Sequence, residues 1–466
     1  MNKFQLLCDK FYLIRYFIHT RWLLKFTDSQ ALIRRQNKQL IYYLKNILPQ
    51  APYFQSYHHR MESVQLPIVM AEPYQALVLA QLPMMDKSFM MAQFDELNTR
   101  NITFEQASAV ARQAEQSRDF SPVIDDITVG MSSGTSGKHG IFLVSKEERL
   151  RWAGTILAKV LPDHLLWKIV KLWQPPVKIA FFLRANSNLY TTLNSSRINF
   201  GFYDLLQGIE LAIPNLNHNP PDVLVAPASV LLALVKAKQT GALEIQPTHI
   251  ISVAEVLETT DAVLIEQAFG IKPHQIYQAT EGFLGYTCEE GNFHLNETHL
   301  IIEKEWLDEA HQYFTPVVTD FSRTTQLIVR YRLNDVLRVA PTPCPCGRAE
   351  TTIASVEGRA DEILWLSSLS DSVLIPVYPD LIRRAMMLVL PQLTEYQIIQ
   401  KQLSWQIDFL VDNDSERPKA LEDIIAQLAK LCEQLNLQLP LLQFGVWQSP
   451  QAGVKRRRLI CQERPV

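Results

Sequence analysis

The sequence predicts an α/β protein in two parts: a large domain of layered sheets and helices over residues 1–357, and a small α+β domain over 358–466. Three observations carry this. From about residue 123 to 340, short β-branched runs alternate with segments of helical periodicity, the pattern of parallel strands joined by helices. After about residue 360 the chain changes character, toward a small helix-plus-strand domain. The first hundred residues (1–100), in contrast, are mainly helical in pattern, an extension of the large domain.

In chain order, "MNKFQLLCDKFYLIRYFIHTRWLLKF" is amphipathic and basic. Lys10, Arg15, His19, Arg21 and Lys25 interrupt the apolar residues before any run reaches the length of a signal core or a membrane span. One reading is a helix packed on the main domain; the sharper one is peripheral membrane contact. "DSQALIRRQNKQLIYYLKNIL" predicts a second helix capped by Asp28 or Ser29, ended by Pro49 and Pro52. "TFEQASAVARQAEQ" predicts another, with Thr103 as cap and Gln106 at the capping-box position. "VKIAFFLRA", "DVLVAPA", "THIISVAEV" and "QIYQAT" read as apolar strands, with helices in "SVLLALVKAKQTGAL" and "TTDAVLIEQAFGI" between them. Binding groups gather at the carboxyl ends of such strands. The small domain is read from "PVYPDLIRRAMMLVLPQL", "YQIIQKQLSWQIDFLVD" and "ALEDIIAQLAKLCEQL".

The chain has 466 residues, 47% hydrophobic and 20% charged, with a net charge of −3, which suits a globular protein with a sizeable core. No global basic field suggests nucleic acid as a partner. The six cysteines form no disulfide framework and nothing upstream reads as a secretory signal, so a cytoplasmic location is expected.

The segment "GMSSGTSGKHG", Gly130–Gly140, packs small and hydroxyl-bearing residues around one lysine. Its neighbours read as a β-branched run before it and a helix in "IFLVSKEERLRWAGTIL" after it. Glycine lets successive N–H groups aim at one point, and hydroxyls and an ammonium add donors, a composition suited to phosphate oxygens. It matches neither G-x-x-x-x-G-K-[ST] nor G-x-G-x-x-G, so a plain surface turn is the alternative on this segment alone.

"SSGTSGK" resembles the phosphate loop of the adenylate-forming superfamily, which includes acyl- and aryl-CoA ligases and whose usual form is "SSGTTGKP". Further segments follow in that superfamily's order: "VAEV" at 253–256, "YQATEG" at 277–282, "YRLNDVLRV" at 331–339, "GRADEIL" at 358–364 and "AGVKRRR" near the end. "LIYYLKNILPQAPYFQSY", "FDELNT", "GNFHLNETHLIIE" and "CPCGR" resemble the phenylacetate-CoA ligase-like branch.

The resemblance implies a large adenylate-forming domain with a small C-terminal lid. It also implies an AMP-forming ligase: a carboxylate joins the α-phosphate of ATP, pyrophosphate leaves, and the acyl group passes to a CoA or carrier-protein thiol. Such chemistry depends on positioning and electrostatics. Ser132, Ser133, Gly134, Thr135, Ser136, Gly137 and Lys138 would hold the departing phosphates, with Lys138 also counted as catalytic. Glu281, also counted as catalytic, is a hard oxygen ligand for magnesium. Glu255 and the Tyr277, Gln278, Ala279, Thr280 run would border the nucleotide, with Tyr277 against adenine. Asp335 would accept from the ribose hydroxyls, although "RLND" stands where relatives carry "RTGD". Arg359 is a ribose or phosphate ligand, or a surface arginine beside Asp361.

Lys455 stands where relatives have a catalytic lysine directly after glycine, but here Val454 intervenes after Gly453 and "KRRR" also reads as a solvated tail. "ILWLSSLSDSVLIP" replaces the glycine-containing stretch after the usual hinge, which bears on CoA use more than on adenylation. Cys344 and Cys346 form a C-x-C knuckle, a weak signal by its spacing. The resemblance implies that, with Cys288 and His294, they hold a structural zinc.

Phe181, Phe182, Tyr190, Phe200, Phe202 and Tyr203 offer aromatic walls that suit an aryl, arylacetyl or fatty acid. Alternatives are adenylation of a hydroxyl, as in deazaflavin coenzyme synthetases, a degenerate nucleotide- or metabolite-binding protein, or a membrane-surface scaffold. The expected cofactors are ATP, Mg2+, Zn2+ and CoA; an oligomer is left open.

Overall fold

The computed structural model describes residues 3–55, 73–117, 119, 122–131, 140–183, 194–371, 373–389, 393–411, 413–448 and 457–465. The chain forms two compact units. The first comprises Met1–Glu305, Pro316–Leu333 and Val339–Ser355; the second comprises Trp306–Thr315, Asn334–Arg338 and Val356–Val466.

The first unit opens with helices α1 (Lys3–Ile18), α2 (Ser29–Asn46), α3 (Pro73–Leu79), α4 (Lys87–Ala92) and α5 (Phe104–Ser117). The starts of α2, α4 and α5 follow from side-chain oxygens that satisfy otherwise orphaned backbone N–H groups, with Asp86 accepting from Phe89 N–H at α4. The Asp28 carboxylate accepts from Gln30 and Ala31 N–H, which makes it, rather than Ser29, the cap of α2. At α5 the Thr103 hydroxyl accepts from Gln106 N–H while the Gln106 amide oxygen accepts from Thr103 N–H, a reciprocal box.

A three-stranded antiparallel sheet follows, β1 (Val123–Ile124), β2 (Ile127–Met131) and β3 (Ile141–Val144). Here the structure corrects the sequence reading. "IFLV" is strand β3, with Met131 opposite Ile141, and the helix α6 (Lys146–Val160) begins only after Ser145, whose hydroxyl accepts from Glu148 N–H. A four-residue apolar run fits strand and helix equally well by periodicity, and cross-strand pairing decides it.

The main sheet of this unit runs β5-β4-β6-β7-β8 in parallel, from β4 (Val177–Leu183), β5 (Ile198–Asp204), β6 (Val223–Ala226), β7 (His249–Ser252) and β8 (His274–Gln278). It continues antiparallel through β9 (Phe283–Thr287) and β10 (Phe293–Leu295). Helices α7 (Asp163–Val170), α8 (Ala212–His218), α9 (Ala228–Gln239) and α10 (Thr259–Phe269) intersperse these strands in the chain. The two sheet faces carry separate cores, one with Ile156, Leu157, Val177 and Val225, the other with Leu216, Leu231, Leu234 and Phe269. β4 and β5 place successive residues on opposite faces, as the pleat requires. Phe181, Phe200 and Phe202 therefore join the first core, and Phe182 and Tyr203 stack in the second with ring centroids 4.7 Å apart. The aromatic residues that the sequence offers as pocket walls thus divide between the two faces; Tyr190 lies outside the described residues.

In the second unit Tyr313 stacks on Tyr378 at 4.0 Å, and the Tyr378 hydroxyl donates to Leu307 O. A four-stranded sheet, in the order β13-β12-β11-β14 for the strands Leu441–Val446, Ser404–Val411, Leu393–Lys401 and Leu459–Glu463 (β13, β12, β11 and β14), carries its core. Trp405, Ile407 and Phe409 from that sheet pack with Ile382 and Met386 of α11 (Pro379–Met387) and Ile424 and Leu428 of α12 (Arg417–Gln434). This is the small α+β arrangement that the sequence predicts.

Candidate active site and metal centre

The parallel strands β7 and β8 are neighbours, and both expected nucleotide segments leave from their carboxyl ends. After β7, the "VAEV" turn holds Ala254 at φ 65°, a left-handed conformation that costs a residue with a Cβ about 1 kcal/mol. Such strain persists where the surroundings over-determine it. The next residue, Glu255, turns its carboxylate onto Ser229 N–H at 2.9 Å, in the first turn of α9. Its described bond is therefore to this helix start, a favourable place for negative charge.

After β8, Ala279 N–H donates to Gly282 O, which closes the turn that carries Thr280 and Glu281. The Thr280 hydroxyl donates to Glu281 Oε2 at 2.8 Å and so orients that carboxylate. Gln278 accepts from the Trp152 indole N–H at 2.9 Å, and Tyr277 is half-buried on the strand. Gly282 is needed for space: a Cβ there would stand 2.5 Å from Asp320 Oδ2. Asp320 is buried, burial pushes its pKa up, and Ser322 N–H and hydroxyl donate to it. Sequence reasoning missed Trp152 and Asp320, which come from distant segments and carry no motif.

The first unit thus brings together Glu255 with Tyr277–Glu281. Asp335 and Arg359 belong to the second unit and meet there, since Ala360 N–H donates to Asn334 O at 2.9 Å, setting the two residues beside one backbone bond. The Asn334 amide also donates to Asp361 at 3.2 Å, so the asparagine of "RLND" ties this turn to "GRADE". Behind it, Glu362 pairs with Arg383 and with Arg457, each at 3.2 Å, and Arg457 reaches Asp361 at 2.8 Å. Burial raises the Glu362 pKa, with the two arginines opposing. Ser132, Ser133, Gly134, Thr135, Ser136, Gly137, Lys138 and Lys455 lie outside the described residues.

Cys288, His294, Cys344 and Cys346 converge in the first unit, their ligand atoms all within 4.8 Å of one another. β9 and β10 bring Cys288 and His294 together, and the Cys344 Sγ lies 3.6 Å from Cys288 Sγ. Cys346 Sγ lies 3.4 Å from His294 Nε2. Zinc–sulfur bonds of about 2.3 Å and zinc–nitrogen bonds of about 2.0 Å in a tetrahedron put neighbouring ligand atoms about 3.5–3.8 Å apart. The donor set and its spacing fit that ion.

The histidine is held from behind. His294 Nδ1 lies 3.2 Å from Glu350 O, so an Nδ1–H donor leaves Nε2 as the lone-pair nitrogen. The Glu350 carboxylate is buried; it accepts from Lys159 Nζ at 2.9 Å, from the Thr298 hydroxyl at 2.9 Å and from the Tyr286 hydroxyl. Burial opposes ionisation of Glu350, but Lys159 and these donors hold it below the usual carboxylate range. Removing one partner of such a buried pair strands a charge and is costly. This backing network spans α6, β9 and the 350 region, and no local sequence signal marks it.

No family model and no curated protein matches the chain. Solved structures do. 2-Hydroxyisobutyryl-CoA ligase in the postadenylation state with 2-HIB-AMP aligns at TM-score 0.61 and 16% identity, over 93% of this chain and 89% of that one. The same ligase with R3-HIB-AMP aligns at 0.60 and 15% identity over the same shares. Its open conformation with 2-HIB-AMP and CoA aligns at 0.53 and 15%, over 93% and 91%. The chain has the fold of the adenylate-forming CoA ligases. Among the described residues, those of "VAEV" and "YQATEG" fall at strand ends and in the turns that follow them.

Proposed function

We propose that the protein activates a carboxylic acid with ATP, forming acyl-AMP and pyrophosphate, and then passes the acyl group to a thiol of CoA or a carrier protein. The observation that carries this reading is the placement of Glu255 and Tyr277–Glu281 at adjacent carboxyl ends of a parallel sheet, within a ligase fold. Three solved structures of one similar ligase hold an acyl-adenylate, and one of them holds CoA as well.

In this reading Glu281, oriented by Thr280, holds magnesium, which neutralises phosphate charge when bound. Tyr277 offers its ring to adenine, and Asp335 accepts from the ribose. Ser132–Lys138 would grip the leaving phosphates and Lys455 would bridge acid and α-phosphate. The Cys288, His294, Cys344 and Cys346 cluster holds one zinc in a structural role, with no open position for chemistry. That set also favours the phenylacetate-CoA ligase-like branch.

The test is pyrophosphate release from Mg-ATP with aryl, arylacetyl and fatty acids, with and without CoA. Release with one acid class, increased by CoA and reduced about a hundredfold in Glu281→Gln, is the expected outcome. Release that needs a phenolic hydroxyl instead would move the reading to hydroxyl adenylation. ATP binding without release for any substrate would leave a binding protein, the reading that the inserted Val454 before Lys455 favours.

A further inference from the structure

α1 presents two opposite faces. At about 100° per residue, Asp9, Leu13, Tyr16 and Thr20 share one side of the helix and its continuation. That side is turned inward: Asp9 pairs with Lys146 of α6 at 2.7 Å, and Thr20 is buried and bonded to His299. Leu7, Phe11, Ile14, Ile18 and Trp22 lie about 180° round and are 45–70% exposed. A stripe of large apolar residues therefore points straight away from the unit that anchors the helix.

Charge borders the stripe on both sides. Lys10 and Arg15 are exposed and fall about 70° to either side of its centre, and Lys25 is exposed beyond Trp22. The single acid between Lys3 and Lys25 is Asp9, which faces inward onto Lys146. The face is thus cationic and apolar on a chain whose net charge is −3. Beside α1, Arg21 pairs with Asp163 at the start of α7, and Trp167, one helical turn on, and Trp173 are exposed.

We propose that this face docks on an anionic lipid bilayer, with α1 lying in the interface and Trp22, Trp167 and Trp173 at headgroup level. Tryptophan suits that level because its ring is apolar and its N–H polar, and lysine and arginine beside an apolar stripe are drawn to anionic headgroups. No described helix is long and apolar enough to cross a membrane, so the contact is peripheral. A second copy of the chain fits less well. In a twofold contact the stripe would meet itself and set Lys10 and Arg15 of both copies against each other, and the Asp163 carboxylate that borders the face is already paired with Arg21. The inference is independent of the adenylation reading.

The experiment is co-flotation of the full chain with vesicles of equimolar phosphatidylglycerol and phosphatidylcholine, and with phosphatidylcholine alone. The protein is expected to float with the anionic vesicles, to lose about tenfold or more of that binding in Phe11→Asp/Ile14→Asp and in Lys10→Glu/Arg15→Glu, and to release as salt rises. Both variants alter only the outward side, so an unchanged thermal melt shows that α1 still sits on α6; the charge reversal serves if the apolar pair misfolds. No binding to the anionic vesicles, or binding that both variants retain, overturns the proposal. So does a dimer in light scattering that Phe11→Asp/Ile14→Asp dissolves while the vesicles float alone.

Discussion

His249 and His274 open β7 and β8, at the end of those strands opposite Glu255 and Glu281, with ring centroids 4.6 Å apart. His249 is buried, and burial, then the charge of His274 and His164, pushes its pKa down from 6.5 to about 3. Between those values the unfolded chain binds a proton that the folded chain refuses. The contribution is complete above pH 6.5 and is lost as pH falls toward 3. Unfolding free energy should therefore drop by about 2 kcal/mol between pH 7 and pH 5 through this residue. In urea melts at the two pH values, His249→Gln should show a smaller drop; an equal one would remove His249 as the cause. At this scale the sequence was legible where chemistry is written locally. "YQATEG" shows itself in a few letters, and the C-x-C knuckle, weak by its spacing, does so only beside the family resemblance. The histidine pair and the Lys159–Glu350–Tyr286 network do not, because their members meet only after segments 25 to 191 residues apart have been brought together.

Capping, more than periodicity, made the elements legible. Asp28 and the Thr103/Gln106 box set helix starts that the structure reproduces. "IFLV" was misread although the Ser145/Glu148 capping box that starts α6 stands just after it, because its partner β2 lies across a glycine-rich segment. The docking of α1 was open on sequence, since an amphipathic basic helix can lie on protein or on lipid. Gly154 of α6 resolves its inner side: a Cβ there would stand 2.5 Å from Leu13 O and 2.9 Å from Tyr16 Cβ. The two helix backbones meet at that point. Gly154→Ala should gain intrinsic helicity in α6 yet lose more by forcing α1 outward. A net loss of about 1–3 kcal/mol in thermal or urea unfolding is expected. Faster proteolysis within residues 1–26 should accompany it. A stabilised variant with an intact N-terminal helix would show that α1 adapts to the methyl group at no cost.

The molecule as a whole divides into units with separate cores, and the division is not a single cut. Trp306–Thr315 and Asn334–Arg338 join the second unit from the middle of the chain, which no reading of composition along the sequence could show, because membership depends on strand pairing such as Tyr313 with Arg338. All four residues of the candidate metal centre belong to the first unit, where they tie the β9–β10 hairpin to the 344–346 knuckle across an interval of 56 residues. A metal that binds the folded chain and not the unfolded one adds its binding free energy to folding. The second unit, built on Trp405, Ile407 and Phe409, has no ligand in the cluster. Purified protein should therefore contain about one zinc per chain. Chelation should lower the calorimetric transition of the first unit by several degrees and leave that of the second in place, and Cys344→Ser should behave as chelated protein does. Wild-type protein that is free of metal and equally stable would rule the centre out. A shift of both transitions together would show that the two units unfold as one.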